Sequence, residues 1–466
     1  MRNDRKEPRG AGLTMVHPRA AGIDVGNSSH WVAVPPDGPS PTVRQFGTFT
    51  ADLHALAQWL MERGVSTVAL ESTGVYWIAL FEVLESHGLE VCLVDTRRLK
   101  SVPGRKTDVV DCQWLQQLHT FGLLGSAFVP EGSVSILRSF LRQRAMLVSY
   151  ASHHIQHMHK AMQQMNVKLG NVVSDITGQT GMAIVRAIVA GERDAAKLAE
   201  FRDARCKRDA KTIAASLQGH WREDHLFELA QALELYDVYK AKIQACDREL
   251  DRCLKAFPPS APKDSRAAAQ DPQPPRPPLS PRASKRRPNS PGFDARSHLY
   301  RICGVDLTAI DGIDANTALK VIGEIGTDVS RWPTVKHFCS WLRLCPGTNR
   351  SGGKTLSSRT RAGGNRAAAA LRIAAQSLER SVSAMGAFFR RMKARLGPPA
   401  AITAAAHRMA RTIYAMLRHG QSYVDVGQAA YEQQFRQRML KNLRRQAAKL
   451  GLSVVGPQEA GTPVGT

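Results

Sequence analysis

The chain of 466 residues has no uninterrupted apolar run long enough to cross a bilayer, which takes about 20 residues in a helix. A membrane-spanning protein is not expected. Its eight cysteines (92, 112, 206, 246, 253, 303, 339 and 345) contain no CxxC pair. They read as reduced thiols, not as a zinc site or a disulfide framework. The polar N-terminus carries no signal-peptide pattern, so the protein is expected to stay where it is made. Acidic residues are scarce, 40 against 64 Lys and Arg. Between Ser330 and Leu378 there is no Asp or Glu at all. A Walker phosphate loop is also missing: only Gly352-Gly-Lys-Thr355 matches, and the first glycine is misplaced.

What is present in excess is positive charge. The net charge of +24 and pI near 10.1 point to a polyanionic partner, most simply nucleic acid. An inert basic surface is the plainer alternative. The acid-free segment holds nine cations, Lys or Arg at 331, 336, 343, 350, 354, 359, 361, 366 and 372. That is the footprint expected of a surface that follows a phosphate backbone. Arg350, Lys354, Arg359, Arg361 and Arg366 are its candidate nucleic-acid contacts.

Residues 1–20 read as a flexible basic tail. From 21 to about 125 strand and helix alternate. Gly22–Val25 and Trp31–Val34 form a hairpin, with a third strand near 43–50. A helix is expected over 51–63, a strand over 65–70, a helix over 75–87, a strand over 89–94, and a last helix to about His119. Three strands in meander followed by alternating helices and strands predict an α/β ribonuclease H-like fold. Residues 126–257 keep only helical spacing, as in long antiparallel helices with coiled-coil character and a turn over 172–179. His153, His154, His157 and His159 there read as a solvated helix face sooner than as a metal site. Eleven of the 25 prolines fall between Pro258 and Pro291, so 258–298 is expected to be an extended, disordered linker. A mainly α-helical domain follows over 299–425, then a basic tail over 426–466. Its start, Leu307–Asp314 before 317–325, is either a phosphate-binding helix-hairpin-helix or a plain helical hairpin.

Two places carry candidate chemistry. The first is a set of acids. Asp24 ends a core strand, where a carboxylate is costly without a cation or donor. Glu71 ends another strand. Asp108 and Asp111, three apart, share a helix face and repel each other. Brought together, the four make a hard all-oxygen pocket suited to Mg²⁺ or Mn²⁺. Two such ions support in-line phosphoryl displacement. Alternatively these acids cap helices and pair with Lys100, Arg105 and Lys106. Ile23–Ser28 also resembles the phosphate hairpin of actin-like ATPases, but that fold gives no reason for the later basic segment. The second place is Ser351, in the Gly-rich, all-basic stretch 346–354. It is either a nucleophile in need of activation or one donor in a loop that grips a phosphate.

Taken together, these motifs resemble one family. They are Gly22-Ile-Asp24-Val, Glu71-Ser-Thr-Gly74, Lys106-Thr-Asp108-Val-Val-Asp111, Val173-Ser-Asp-Ile-Thr-Gly178, Ile310-Asp-Gly-Ile313, Ser351-Gly-Gly-Lys354 and Gly363-Gly-Asn-Arg366. The order is similar to that of insertion-sequence transposases, which join an N-terminal DEDD (RuvC-like) domain to a C-terminal serine transposase domain. The Pro-rich insert departs from that pattern. The resemblance implies a recombinase that excises and inserts its own element. Asp24, Glu71, Asp108 and Asp111 would bind the metal, and Ser351 would be the nucleophile. It also implies a structured guide (bridge) RNA from the element, DNA as substrate, and a homo-oligomer (dimer or tetramer) in which the acids of one subunit meet the serine of another. The expected location is the bacterial cytoplasm, at the nucleoid. Two other functions stay open at this point: a metal-dependent, junction-resolving nuclease, and a catalytically inactive nucleic-acid-binding protein.

Overall fold

The computed structural model describes residues 14–36, 42–72, 74–94, 107–130, 132–260, 279, 289–361 and 363–454. The chain divides into two compact units, residues 1–129 and 130–466.

The first unit is built on a five-stranded sheet. Its strands are β1 (Ala20–Val25), β2 (His30–Ala33), β3 (Val43–Phe46), β4 (Thr67–Glu71) and β5 (Glu90–Val94). The order across the sheet is β3-β2-β1-β4-β5. β1, β2 and β3 run antiparallel as a meander, while β4 and β5 are parallel to β1. β3 ends at Phe46, short of the expected 43–50, because the chain turns there into α1 (Thr50–Glu62). Asp52 accepts a hydrogen bond from the Phe49 N–H at 3.1 Å and so fixes that entry.

Alternation along the strands sorts two faces. Ile23, Val25, Val32, Val68 and Leu70 pack with Leu53, Leu56 and Leu60 of α1 and with Leu80 and Leu84 of α2 (Trp77–Ser86). The other face, with Gly22, Asp24 and Thr67, takes α3 (Asp108–Thr120). Thr67 Oγ1 is 2.9 Å from His119 Nε2. Burial pushes that histidine's pKa down to about 4, which keeps it neutral. A mixed sheet with helices on both faces fits the ribonuclease H-like expectation.

The second unit starts with α4 (Gly132–Gln164), which packs against α9 (Glu223–Ala256). Arg144 meets Asp247 and Tyr150 meets Tyr239, so the two helices run antiparallel. Their far end is more than the simple turn expected. Four short helices lie between them: α5 (Leu169–Val172), α6 (Gln179–Val189), α7 (Ala195–Glu200) and α8 (Ala210–Ser216). Met158, Met162, Ile184, Ile188, Ile213 and Leu229 form a shared core there. Residues 173–178 are the expected turn, and Asp175 Oδ1 accepts from the Thr177 N–H at 2.8 Å.

Most of the Pro-rich stretch lies outside the described residues. Its last part, 289–298, is folded, in contrast to the linker expected over 258–298. Asn289 and Ser290 carbonyls accept from Arg144, and the Gly292 N–H donates to Asp247. α10 (Ala295–Cys303) begins within that stretch. The physical reason is the buried Arg144–Asp247 pair, whose remaining donors and acceptor this segment satisfies.

α11 (Ala315–Ile325), α12 (Val335–Trp341) and the ribbon β6 (Asn349–Ser351) and β7 (Lys354–Ser357) follow. Apolar helical spacing runs unbroken through 365–396, yet the chain forms α13 (Arg366–Gln376), a 3-10 turn at Ser377–Arg380, and α14 (Ala384–Leu396). Ser381 and Ser383 break it by hydrogen-bonding off-axis. The Ser381 hydroxyl donates to Asp311, and Ser383 caps α14 by accepting from the Gly386 N–H. α15 (Pro398–His419) ends at Gly420 in the left-handed conformation, φ 68°. α16 (Gly427–Lys449) is the basic helix of the tail, mostly exposed. Among the described residues no helix is long and apolar enough to cross a membrane.

Candidate active site

In the first unit, backbone packing places the acids. Asp24 is the penultimate residue of β1, and the Gly26 N–H closes the following turn onto the Ser29 carbonyl at 3.1 Å. Glu71 ends the adjacent β4, and Ser72 anchors the departing chain by donating to the Val94 carbonyl through both N–H and hydroxyl. α3 brings Asp108 and Asp111 in its first turn. Thr107, not an aspartate, is its N-cap, accepting from the Val110 N–H at 3.3 Å. The alternative reading of these acids as caps therefore fails for Asp108 and Asp111. Their proposed partners Lys100, Arg105 and Lys106 lie outside the described residues. Acids in a first helical turn also gain from the helix dipole.

Asp24 reports how close the four are. Its pKa rises from 3.8 to about 7, first through burial, then through Glu71, Asp108 and Asp111 in turn. Asp24 and Glu71 also hydrogen-bond to each other. Cys112, one turn along α3, has its thiol pushed up to about 12 by burial and by Asp24, so it is inert at neutral pH. The donor chemistry suits a hard divalent cation. The side chains are not drawn tight: among the described residues no three such groups stand close enough to hold an ion.

In the second unit, Ser351 sits at the tip of the β6–β7 ribbon. Gly352 (φ 53°) and Gly353 (φ 77°) make the two-residue turn, both left-handed as that hairpin geometry requires. Ser351 pairs with Lys354 across it. Ser351, Arg350, Lys354, Arg359, Arg361 and Arg366 are all exposed. A β-carbon on either glycine would meet nothing within 4 Å, so the tip is open to a large ligand. At the ribbon's base the Gly347 N–H donates to the Arg359 carbonyl at 2.8 Å. Asn365 caps α13 by accepting from the Ala368 N–H, which sets Arg366 in that helix's first turn. His337, the nearest histidine in sequence, is on α12 and hydrogen-bonds Thr334 at 2.8 Å.

Two weaker motifs resolve toward structure. His154 stacks on Tyr239 at 5.3 Å and meets His157 edge-on. No metal-holding group forms from these histidines among the described residues. At the 310–314 turn, a β-carbon on Gly312 would stand 2.9 Å from the Ala374 carbonyl oxygen and 3.0 Å from Met409. That side of the turn is filled by α13 and α15, which favours the plain helical hairpin.

Sequence reasoning missed Gly22. A β-carbon there would lie 2.3 Å from the Gln116 nitrogen. A glycine inside a buried strand is the signal that marks such a close approach. It also missed the cations of α15, Arg408, Arg411 and Arg418, whose spacing puts them along one face of the helix.

The first unit carries carboxylates at the ends of adjacent strands and the second a basic serine ribbon; the enzyme class of the chain, a transposase acting on DNA, follows from two family models. A family model described as a transposase, the DEDD type of IS110, matches residues 21–167. A second, described as the transposase IS116/IS110/IS902 family, matches residues 306–390. The chain belongs to the IS110 family of transposases. All four acids fall within the first match and Ser351 within the second. No curated protein matches the chain.

Proposed function

We propose that this transposase excises and inserts its own element by a serine-based strand transfer supported by Asp24, Glu71, Asp108 and Asp111. The observation that carries the reading is the burial of Asp24 together with the charges of Glu71, Asp108 and Asp111 around it, a charge cluster that a fold avoids unless a cation serves it. The four would hold Mg²⁺ or Mn²⁺. When bound, such an ion supplies charge stabilisation at the scissile phosphate. Ser351 supplies the attacking oxygen from a tip with room for a phosphate, and Arg350 and Lys354 offset the phosphate charge. The Ser351 Oγ–P bond forms as the P–O bond to the leaving sugar oxygen breaks, and the serine proton ends on that oxygen. The phosphoserine ester conserves the bond energy, so reversal by a new strand end rejoins the DNA without an external energy source.

The same reading includes an element-encoded guide RNA, a homo-oligomer, and action at the nucleoid in the cytoplasm. The excess of charge over base-reading motifs supports it, since pairing would read sequence while the protein holds backbone and shape.

The test is denaturing electrophoresis of protein incubated with labelled element DNA, guide RNA and Mg²⁺. Wild type carries the label in a covalent adduct, and Ser351→Ala does not. An adduct that persists in Ser351→Ala would reduce the serine to a phosphate contact. The second reading, a nuclease using metal and water, rests on the acids around Asp24 alone and needs no nucleophile from Ser351.

A further inference from the structure

At the base of the serine ribbon the second unit has a cleft of about 1810 Å³. That exceeds the roughly 300–1,000 Å³ of a small-molecule pocket. One face of α15 forms its long wall, and Ser358, Arg359 and Thr360, the residues leaving β7, form part of another. The cations on it are Arg359, Arg408, Arg411 and Arg418; no Asp or Glu lines it among the described residues. Between those cations the α15 face is small: Thr403, Ala404, Thr412 and Ala415. Phe388 and Tyr423 add aromatic surface. The Arg408 guanidinium lies over the Phe388 ring at 4.8 Å and over the Tyr431 ring at 5.2 Å.

We infer that this cleft is a channel for a single strand of DNA that opens at the base of the serine ribbon. The inference rests on the proposed function and adds an occupant to it. Cations at intervals on a small-residue helix face suit successive phosphates that approach closely. Aromatic and apolar surface between them suits base faces, which a duplex keeps stacked inside and a single strand exposes. Arg359 lies both on the cleft and just past the strand paired with Ser351. A strand in the cleft therefore leads toward the serine.

The test uses the full chain in the Ser351→Ala background with chelator, so that binding is read without cleavage. The probes are a fluorescent oligothymidylate of about 20 nucleotides, an oligouridylate of that length and a duplex of that length. Two variants probe the cleft. Arg411→Gln with Arg418→Gln removes exposed charge, and Ala415→Trp fills the cleft while keeping it. Each should weaken oligothymidylate binding about tenfold and leave duplex binding within about twofold. The arginine pair should also lower the salt slope for the single strand by about 1.4. Unchanged single-strand affinity in the arginine pair overturns the proposal, as does an equal loss for duplex. Tighter binding of oligouridylate with the same sensitivity replaces DNA by RNA as the occupant and likewise overturns it. If Ala415→Trp does not fold, the arginine pair alone decides. A chain that binds the strand here but forms no adduct with Ser351 intact removes the serine chemistry and leaves the cleft standing.

Discussion

Gly22 of β1 and Cys112 of α3 meet backbone to backbone: a β-carbon on Gly22 would stand 2.4 Å from the Cys112 carbonyl oxygen. The contact fixes the height of α3 above the sheet. Asp24 lies two residues along the strand, and Asp111 immediately precedes Cys112, so the same contact sets the spacing of the acids. Gly22→Ala must push the helix off, since the atoms it meets are backbone. Overpacking of this kind costs about 1–3 kcal/mol. Thermal unfolding should show that loss, and DNA cleavage should fall further than stability explains. A variant with wild-type melting and cleavage would mean that α3 adjusts freely.

Asp108→Asn should abolish cleavage and leave nucleic-acid binding nearly intact. Asp108 is exposed at the first turn of α3, so its loss creates no cavity and Thr107 keeps the cap. Cleavage and gel-shift assays on one preparation check this. Normal cleavage would sink the metal-site reading.

Asp24 makes stability depend on pH in a definite sense. Its pKa is 3.8 in an ordinary setting and about 7 here. Between those values the folded chain holds a proton that the unfolded chain has released. The stability is fully present below about pH 4 and is lost as pH rises toward 7. Melting temperature in chelator should therefore fall with pH more steeply in wild type than in Asp24→Asn. Added Mg²⁺ should shrink the difference at pH 7 if the acids bind it. Parallel curves for the two proteins would show that Asp24 is not strained.

Neutralising Arg359, Arg361 and Arg366 should flatten the plot of log affinity against log salt. Each lost phosphate contact removes about 0.9 from the slope on duplex DNA, so the triple change removes up to about 2.7. All three side chains are exposed, and the fold should survive. An unchanged slope would place the nucleic acid elsewhere.

Much of the first unit was legible because its signals are local. Alternation at 22–25 and 65–70, helical spacing at 53, 56 and 60, and turn residues at 26–27 each name an element without help from the rest of the chain. The four acids could be nominated because carboxylates at the ends of buried strands are costly. Their closeness could not, because it depends on Gly22 admitting α3. In the second unit the long helices were legible by periodicity, but the four short helices at their far end were not. Each is held by the shared core around Met162 and Ile188, not by its own propensity. The break at Ser381–Ser383 was hidden because the apolar spacing runs through it, and only the hydrogen bond to Asp311 shows why the helix stops. The folded segment 289–298 was misread for a similar reason. Its partners, Arg144 and Asp247, lie 145 and 45 residues back along the chain.

That distant contact supports the last prediction. Arg144 and Asp247 are buried, with side chains 7% and 10% exposed and Nε 2.5 Å from Oδ1. Arg144 also donates to the Asn289 and Ser290 carbonyls, and Asp247 accepts from the Gly292 N–H at 2.9 Å. The pair thus joins α4, α9 and the start of α10 through one set of bonds. Asp247→Ala leaves a buried guanidinium without its counter-charge, which typically costs about 3–5 kcal/mol. It also leaves the Gly292 N–H without its acceptor. Replacing both residues by leucine removes the stranded charge, so the double variant should be more stable than Asp247→Ala. It should still fall short of wild type, because the Asn289 and Ser290 carbonyls and the Gly292 N–H lose their partners. Hydrogen exchange separates the two effects. Asp247→Ala should speed exchange along α4 and α9 as well as at 292–303, whereas the double variant should speed it at 292–303 alone. Equal stability of the single and double variants would show that the pair's charge is not what holds this junction.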